Sequence, residues 1–310
     1  MTIRIIVLLA VTMASASTGT GATNHAARRT QESQRHDRQF WRDIVKARFS
    51  VPDEQSVFPL AQELSGYLGS TDPELRDDLA YTILDVWIVH QNKLTSEQLI
   101  TMLVEWQGNL RNGIGAVGTD SVFKRSFSAL CLAALAERDL KSPFLSEGRY
   151  RALLENALTY LKDERDLRGF DPAKGWIHAT AHTGDLLAYL AMNIQLRVED
   201  RNRIWQAISN RISSAHVIFA YGEQDRLAFA ASSIIARTDF DAEGFHRWLG
   251  ALDESDRNVW KQSPPNDDEL KTFQNNSYLL QALAARLYAL PKSTTVSSAL
   301  DEISDVLRKR

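Results

Sequence analysis

The sequence is short of cysteine, because Cys131 is the only one among 310 residues. A single cysteine excludes an intrachain disulfide and any metal or redox motif built on paired cysteines. Its neighbours Leu130 and Leu132 place it in an apolar run, so we expect a small buried side chain rather than a reactive thiol. With 44% hydrophobic residues, the chain is long enough to bury a large core.

The sequence also has no excess of basic residues, since its formal net charge is -3. This balance gives no reason to expect nucleic acid as a partner. Neither a GxSxG nucleophile elbow, nor a P-loop, nor an EF-hand spacing occurs. Gly113, Gly115 and Gly118 match GxGxxG, but a helix rather than a strand is predicted before them, which argues against a dinucleotide site.

One apolar run stands apart at the N-terminus. Arg4 precedes an apolar stretch over residues 5–14, and Ala14 and Ala16 have the spacing that signal peptidase requires. We predict a signal peptide over residues 1–16, with an uncleaved anchor as the alternative. The stretch is too short for a permanent membrane span, so we expect an exported protein, periplasmic or extracellular. Residues 17–36 lack apolar periodicity, which predicts a disordered leader.

From Phe40 onward, apolar residues recur at steps of three and four, the period of an amphipathic helix. Strict alternation is nearly absent, and residues 217–221 form the one short apolar run that could be a strand. Asp72 with Pro73, and Thr95 with Gln98, have the pattern of helix N-termini. These features predict an all-α fold.

The strong helices are spaced about 50 residues apart, and each has a partner helix before it. They are predicted to begin near residues 72, 120, 175, 225 and 271, after partners near 58–68, 96–108, 147–162, 201–213 and 241–252. We therefore predict a single all-helical domain over residues 37–310, with five helical hairpins, a leading helix at 37–49 and a closing helix at 294–308. Stacked hairpins form an α-solenoid or, if the ends meet, an α/α toroid.

The loops that enter the second helices are mostly long and rich in Gly, Pro and charge, whereas the loops that leave them are short. In a hairpin stack all entering loops lie at the same end, and long loops gathered on one rim often carry function. The positive ends of several helix dipoles would also meet there and favour an anion. The candidate pocket residues of this rim are Arg76, Asp77, Arg125, Asp171, Trp176, His178, His182, Asp185, Tyr221, Glu223, Arg226 and Asn276.

The sharpest chemical signal within this set is His178, His182 and Asp185. Their steps of four and three predict one shared helix face. Two imidazoles one turn apart can bind a divalent metal such as zinc, and a carboxylate can ligate it or orient an imidazole. The alternative is a structural network in which both histidines bond to neighbouring groups, and no fourth ligand is identifiable.

Carboxylates at the rim provide a second signal. Asp166, Asp171, Asp185 and Glu223 could supply the acid and base of a hydrolase. The alternative is a lattice of ion pairs, because arginines are about as frequent as acids along the same rim. These arginines are Arg76, Arg125, Arg168 and Arg226.

The segment "DLRGFDPAKGWIHATAHTGDLL", which starts at Asp166, resembles the signature of a bacterial family catalogued as domain of unknown function 2785. The stretches "SVFKRSFSALCLAAL" from Ser121 and "YGEQDRLAFAASSII" from Tyr221 are similar to other blocks of that family. The resemblance covers residues 40–290 and implies one all-helical domain. It implies no catalytic role for any residue.

Two hypotheses about function follow, and a third remains open. The first is a binding module with a small-molecule, glycan or peptide ligand at the polar rim. The second is a hydrolase, either metal-dependent through His178 and His182 or based on carboxylates, with Glu223 or Asp171 as general base. The third is a purely structural role in an envelope complex.

Overall fold

The computed structural model describes residues 36–310. The predicted signal peptide, residues 1–16, and residues 17–35 of the predicted leader lie outside the described residues. Residues 38–310 cluster as a unit of their own around a continuous hydrophobic core. The prediction of an all-α fold with packed helices is confirmed.

The helices are numbered α1 to α12 in chain order, and one short antiparallel hairpin, β1–β2, interrupts them. Their bounds are Arg38–Lys46 (α1), Val57–Tyr67 (α2), Glu74–Tyr81 with Thr82–Asp85 and Val86–His90 (together α3), Ser96–Asn109 (α4), Ser121–Lys141 (α5), Glu147–Asp163 (α6), Phe170–Asp171 (β1), Gly175–Trp176 (β2), Ala179–Met192 (α7), Val198–Ser213 (α8), Glu223–Ile235 (α9), Ala242–Val259 (α10), Asp267–Tyr288 (α11) and Thr294–Arg308 (α12).

The helices form two layers. Helices α3, α5, α7, α9 and α11 pack against one another in chain order and form the inner layer. Each inner helix also packs against the helix that precedes it, so the pairs α2–α3 to α10–α11 stack as hairpins. Among the described helices, no extensive contact joins α2 or α3 to α10, α11 or α12. The stack is therefore open rather than closed into a ring.

Local sequence signals start the helices as predicted. Thr95 accepts a hydrogen bond from the backbone N–H of Gln98, and the Gln98 side chain accepts one from the N–H of Thr95, which completes a capping box. Asp72 accepts from the backbone N–H of Leu75 at 3.2 Å. Both contacts satisfy donors that a helix N-terminus leaves without partners.

Helix α3 contains turns that are wider than those of an α-helix. The backbone N–H of Thr82 bonds to the carbonyl of Asp77, and that of Gln91 bonds to the carbonyl of Val86. Both bonds span five residues, which is the π-helical pattern and is rare in proteins. The sequence periodicity did not predict these turns.

The inner layer is tightest between α7 and α9. A Cβ atom added to Gly184 of α7 would lie 2.8 Å from the backbone carbon of Arg226 on α9. Because only glycine permits this approach, the two helices pack almost backbone to backbone. This contact brings polar residues of both helices close together.

One sequence prediction is wrong in detail, and the structure decides one possibility that the sequence left open. The third inner helix begins at Ala179 and not near residue 175, because Gly175 and Trp176 pair with β1 instead. Residues 217–221 do not form a strand: they run as an irregular loop ahead of α9. Buried polar bonds replace strand pairing there, since Asn275 accepts from the backbone N–H of Phe219 and donates to the carbonyl of Val217.

The prediction for Cys131 agrees with the structure. Its side chain is buried, and burial raises the pKa of the thiol well above its ordinary value. The thiol is therefore protonated and unreactive near neutral pH. Within the part of the chain that the structure describes, no helix is both long and apolar enough to cross a membrane.

Candidate functional site

The loops that enter the inner helices contact one another along one edge of the stack. Lys174, in the β1–β2 turn, pairs with Asp120 at the start of α5 at 2.6 Å. His178, which follows the hairpin, donates to the carbonyl of Tyr221 at 2.9 Å. The front ends of α5, α7 and α9 are thus joined by their loops along one edge, as the predicted rim requires.

Arg76 ties α3 to this edge from inside the protein. Its guanidinium donates to the carbonyls of Ser70, at 2.7 Å, and Lys174, at 2.6 Å, and also reaches that of Trp176. The same group lies 4.0 Å from the centre of the Phe123 ring. Because the side chain is fully buried, Arg76 holds the rim together and does not face a ligand.

Arg125 has the same role at the start of α5. Its Nε and Nη2 donate to the two carboxylate oxygens of Glu164, at 2.6 Å and 3.1 Å. Its Nη1 donates to the carbonyls of Asn112 and Gly113 and to the hydroxyl of Ser121. All three guanidinium nitrogens are therefore engaged inside the protein, so Arg125 has no edge left for a ligand.

Asp166, Arg168 and Asp171 also stabilise the rim loops. Arg168 pairs with Asp166 at 2.6 Å, which is an ion pair of the lattice that the sequence offered as an alternative. Asp171 accepts from the backbone N–H groups of Ala173 and Lys174, and these bonds lower the pKa of its carboxyl. With Gly175 at φ +74°, this turn explains why a hairpin forms where a helix was predicted.

Four aromatic rings lie in contact at and beside the hairpin, and we call them the aromatic rim: Phe170, Trp176, Tyr221 and the partly buried His178. Trp176 stacks on His178, with 4.3 Å between ring centroids, and contacts Phe170 edge-on at 4.9 Å. Tyr221 lies 6.1 Å from Phe170 and 6.5 Å from Trp176. Phe170, Trp176 and Tyr221 remain 37%, 41% and 48% exposed, so the rings touch without being covered.

His178 does not lie on the helix that contains His182. It precedes α7 with a left-handed φ of +51°, whereas His182 lies in the first turn of that helix. The two rings are nevertheless close, at 5.6 Å between centroids and nearly perpendicular. The predicted proximity is therefore correct, but the predicted single helix face is not.

Backbone carbonyls set the tautomers of both histidines. Ser126 donates its hydroxyl hydrogen to the carbonyl of Ile177 and so accepts from Nδ1–H of His182 at 2.8 Å. His178 uses Nε2–H toward Tyr221. The lone pairs consequently lie on Nδ1 of His178 and Nε2 of His182. Neither nitrogen has a hydrogen-bond partner among the described residues.

Burial keeps both imidazoles neutral near pH 7. It lowers the pKa of His178 to about 4, although the hydrogen bond to Tyr221 favours the charged ring. It also lowers the pKa of His182 well below 6.5, and the positive charges of Arg226 and of a protonated His178 lower it further. Both side chains therefore act as acceptors through their free nitrogens.

Asp185 and Arg226 meet where α7 and α9 are closest. Nη1 of Arg226 donates to both carboxylate oxygens of Asp185, at 2.9 Å and 2.8 Å. Asp185 is buried, and burial raises the pKa of its carboxyl while Arg226 opposes that shift. The Arg226 side chain is 46% exposed, and its Nη2 and Nε have no partner among the described residues. We call His182, Asp185 and Arg226 the polar patch.

Glu223 lies buried beneath the aromatic rim. Its carboxylate accepts from the backbone N–H of Tyr221 at 2.9 Å, and burial raises its pKa. A Cβ atom added to Gly169 would come within 2.5 Å of Glu223, so the hairpin crosses directly over this carboxylate. Glu223 thus positions Tyr221 and the hairpin.

Two of the predicted pocket residues lie apart from this group. Asp77 is partly buried on α3, and its side chain has no hydrogen-bond or ion-pair partner among the described residues. Burial and the adjacent Asp78 raise its pKa to about 6. Asn276 is buried between α10 and α11, where it donates to Asp256 at 2.8 Å. Asn276 therefore supports helix packing rather than the rim.

Sequence reasoning missed Phe170 and the role of Ser126. Phe170 lies in a loop without apolar periodicity, and its only signal is an aromatic residue directly after Gly169 in a polar segment. Ser126 lies on a buried helix face, where nothing in the sequence marks its contact with a histidine 56 residues later.

A sequence profile described as "Protein of unknown function (DUF2785)" matches residues 110–285, which is more than half of the chain. The chain belongs to the DUF2785 family. In this DUF2785 protein, the matched segment contains the whole aromatic rim and the polar patch, whereas Arg76 and Asp77 precede it. No curated protein and no solved structure matches the chain.

The metal prediction for His178, His182 and Asp185 stays a prediction. Among residues 36–310, no group of three or more histidine, cysteine, aspartate or glutamate side chains is placed to hold a metal ion. Asp185 is bound by Arg226 instead, and the two histidines remain as a pair of neutral rings, each with one free nitrogen lone pair.

Proposed function

We propose that this DUF2785 protein is a ligand-binding module whose site consists of the aromatic rim and the adjoining polar patch. The observation that carries the proposal is the exposure of Phe170, Trp176 and Tyr221 in mutual contact. Exposing large aromatic rings to water is unfavourable, so a group of them in contact at the surface usually marks the binding surface of a partner or ligand.

The polar patch supports the same conclusion. A half-exposed guanidinium with free Nη2 and Nε can donate hydrogen bonds to an anionic group. Two imidazole nitrogens with lone pairs can accept hydrogen bonds from a ligand. Apolar rings beside a few convergent polar groups are the usual composition of a ligand site.

The proposal is tested by screening libraries of soluble glycans, peptides and small molecules against the wild type and Trp176→Ala. Tyr288→Ala is the matched control, because Tyr288 is 82% exposed at the end of α11 and is not part of the rim. We expect ligands that bind the wild type and the control but not Trp176→Ala. Ligands that bind all three proteins equally would exclude the aromatic rim as the site.

A metal-dependent hydrolase is the second candidate, and one observation favours it. The rings of His178 and His182 lie 5.6 Å apart, and each has one nitrogen fixed by a carbonyl or hydroxyl, which is how metal-ligating histidines are oriented. Elemental analysis of tag-free protein tests it. A divalent metal in equal molar amount that is lost in His182→Ala would support the hydrolase, and a metal-free, equally stable wild type would refute it.

We also propose that the protein acts outside the cytoplasm, on the basis of residues 1–16. N-terminal sequencing of the protein from the periplasm or the culture medium is the test. The expected mature chain begins at Ser17. A full-length chain recovered from the membrane fraction would support the uncleaved anchor instead.

A further inference from the structure

The chemistry around the proposed site restricts the kind of ligand that it can hold. Three features lie in a row: the aromatic face of Trp176, the lone pairs of two neutral histidines, and the free edge of Arg226. Each feature requires a different group on the ligand, so the three requirements together define a ligand class.

The aromatic rim requires a flat apolar face. The negative face of an aromatic ring attracts the weakly positive C–H groups of a saturated ring laid against it. Trp176 and Phe170 meet edge to face at 4.9 Å and leave more than a third of each surface uncovered. A pyranose ring has such a C–H face, and an extended peptide backbone does not.

The middle of the row requires hydrogen-bond donors. Nε2 of His182 and Nδ1 of His178 carry lone pairs and can only accept. Hydroxyl groups satisfy these acceptors, whereas an aromatic acid without hydroxyls leaves both without a partner. This requirement favours a polyhydroxylated ligand.

The far end of the row requires an anion with planar geometry. Asp185 occupies only Nη1 of Arg226, so Nη2 and Nε present a parallel pair of N–H groups. This pair matches the two oxygens of a carboxylate, which a lysine cannot reproduce. The buried Asp185 holds the guanidinium in place. Because Arg226 neutralises its charge, Asp185 repels a ligand carboxylate only weakly.

The parts of the site are close neighbours. The Trp176 and His178 rings are 4.3 Å apart, and the His178 and His182 rings are 5.6 Å apart. The positive charge of Arg226 acts on both imidazoles and lowers the pKa of each, so one ligand can contact the aromatic rim and the polar patch together.

We infer that the site binds an acidic saccharide, with a sugar ring on Trp176, hydroxyl groups on His178 and His182, and the carboxylate of a hexuronic acid unit on Arg226. This inference rests on the proposed ligand-binding function and names its ligand class. Recognition combines three contacts: stacking on Trp176, hydrogen bonds from hydroxyl groups to the histidines, and a carboxylate bound by the paired N–H groups of Arg226. Each contact can be removed separately.

The test measures binding of trimers of galacturonate, mannuronate and glucuronate by calorimetry. Their methyl esters, which keep the rings and hydroxyls but lose the charge, are the matched probes, and benzoate represents an aromatic acid. We expect at least one trimer to bind about tenfold or more tighter than its methyl ester and than benzoate.

Arg226→Lys keeps the ion pair with Asp185 but loses the fork, and we expect it to weaken binding of that trimer by about tenfold. Arg286→Lys is the control, because the Arg286 guanidinium on α11 is already engaged by Asp225. We expect the control to bind within about twofold of the wild type. Thermal unfolding of both variants verifies that the fold is kept.

The outcomes separate this inference from the proposed function. Equal binding of trimer and methyl ester, lost in Trp176→Ala but not in Arg226→Lys, would overturn the acidic class and keep the site. Tight binding of benzoate that depends on Arg226 would overturn the sugar assignment. No binding of any probe at millimolar concentration would overturn the inference, and the library screen then decides the proposed function independently.

Discussion

The arginines in the α3–α5 part of the rim are buried, whereas the arginine in the α7–α9 part is half exposed. Arg76 and Arg125 are fully buried, and their side chains hold loops and helices together. Arg226 occupies the corresponding place in α9, yet nearly half of its side chain is exposed and two of its nitrogens are free. Residues that look equivalent along the sequence therefore divide into structural and ligand-facing ones.

The difference arises from what covers each arginine. The loop over residues 109–120 and the residues around Glu164 close over Arg125 and supply acceptors for all three nitrogens. Among the described residues, Arg226 has hydrogen bonds from its guanidinium to Asp185 alone, and through Nη1 alone. Predictions that separate the two parts follow, from the largest expected effect to the smallest.

Arg125→Gln should lower the free energy of unfolding by about 3–5 kcal/mol, because it leaves Glu164 buried without its positive partner. Chemical denaturation measures this loss. The double variant Arg125→Met with Glu164→Leu should recover much of it, since both charges are then removed. A single variant as stable as the wild type would show that the pair is not structural.

Gly184→Ala should lower the free energy of unfolding by about 2 kcal/mol, because its Cβ would overlap the backbone of Arg226. Gly250→Ala is the control, as a Cβ at that position in α10 meets no atom within 4 Å. The control should be neutral or slightly stabilising, by up to about 1 kcal/mol, because alanine favours helix. Equal effects of the two changes would contradict the close packing of α7 on α9.

Asp77→Asn should stabilise the protein at pH 8 by on the order of 1–2 kcal/mol and should have little effect at pH 4. The reason is that folding raises the pKa of Asp77 from 3.8 to about 6, so the carboxyl stays protonated to a higher pH in the folded state than in the unfolded chain. The wild type therefore loses stability as the pH rises between these values, and the asparagine variant does not. Unfolding curves at both pH values are the measurement. A difference that does not change with pH would show that Asp77 ionises normally.

Lys174→Ala should change the free energy of unfolding by less than about 0.5 kcal/mol, although Lys174 and Asp120 are only 2.6 Å apart. Both side chains are more than one-third exposed, so water and salt screen the pair. The difference between this variant and Arg125→Gln shows how much more a buried ion pair of the rim contributes to stability than an exposed one. A loss near that of Arg125→Gln would contradict the comparison.

The layout of the helices was predictable because it depends on local patterns. Apolar residues at steps of three and four, the capping box at Thr95 and the proline after Asp72 determine where helices lie before any tertiary contact forms. The regular spacing of these helices also predicts their pairing in hairpins. The profile match to residues 110–285 confirms the family, over a narrower range than the predicted 40–290.

The contents of the candidate site were only partly predictable. The proximity of His178 and His182 follows from sequence spacing, but the left-handed φ of His178 depends on the β1–β2 hairpin that precedes it. The bond between Ser126 and His182, and the stacking of Trp176 on His178, join residues whose relation no local pattern records. These contacts form only once the loops meet along the edge of the stack.

By itself, the sequence determined the class of the fold, the order of its helices and the edge at which polar side chains gather, because hydrophobic period and helix capping act over a few residues. Tertiary structure alone decided which arginines are buried, where α7 begins and which aromatic rings stay exposed. Those outcomes depend on which loop covers which helix end, and therefore on contacts between residues that lie 39 or more positions apart.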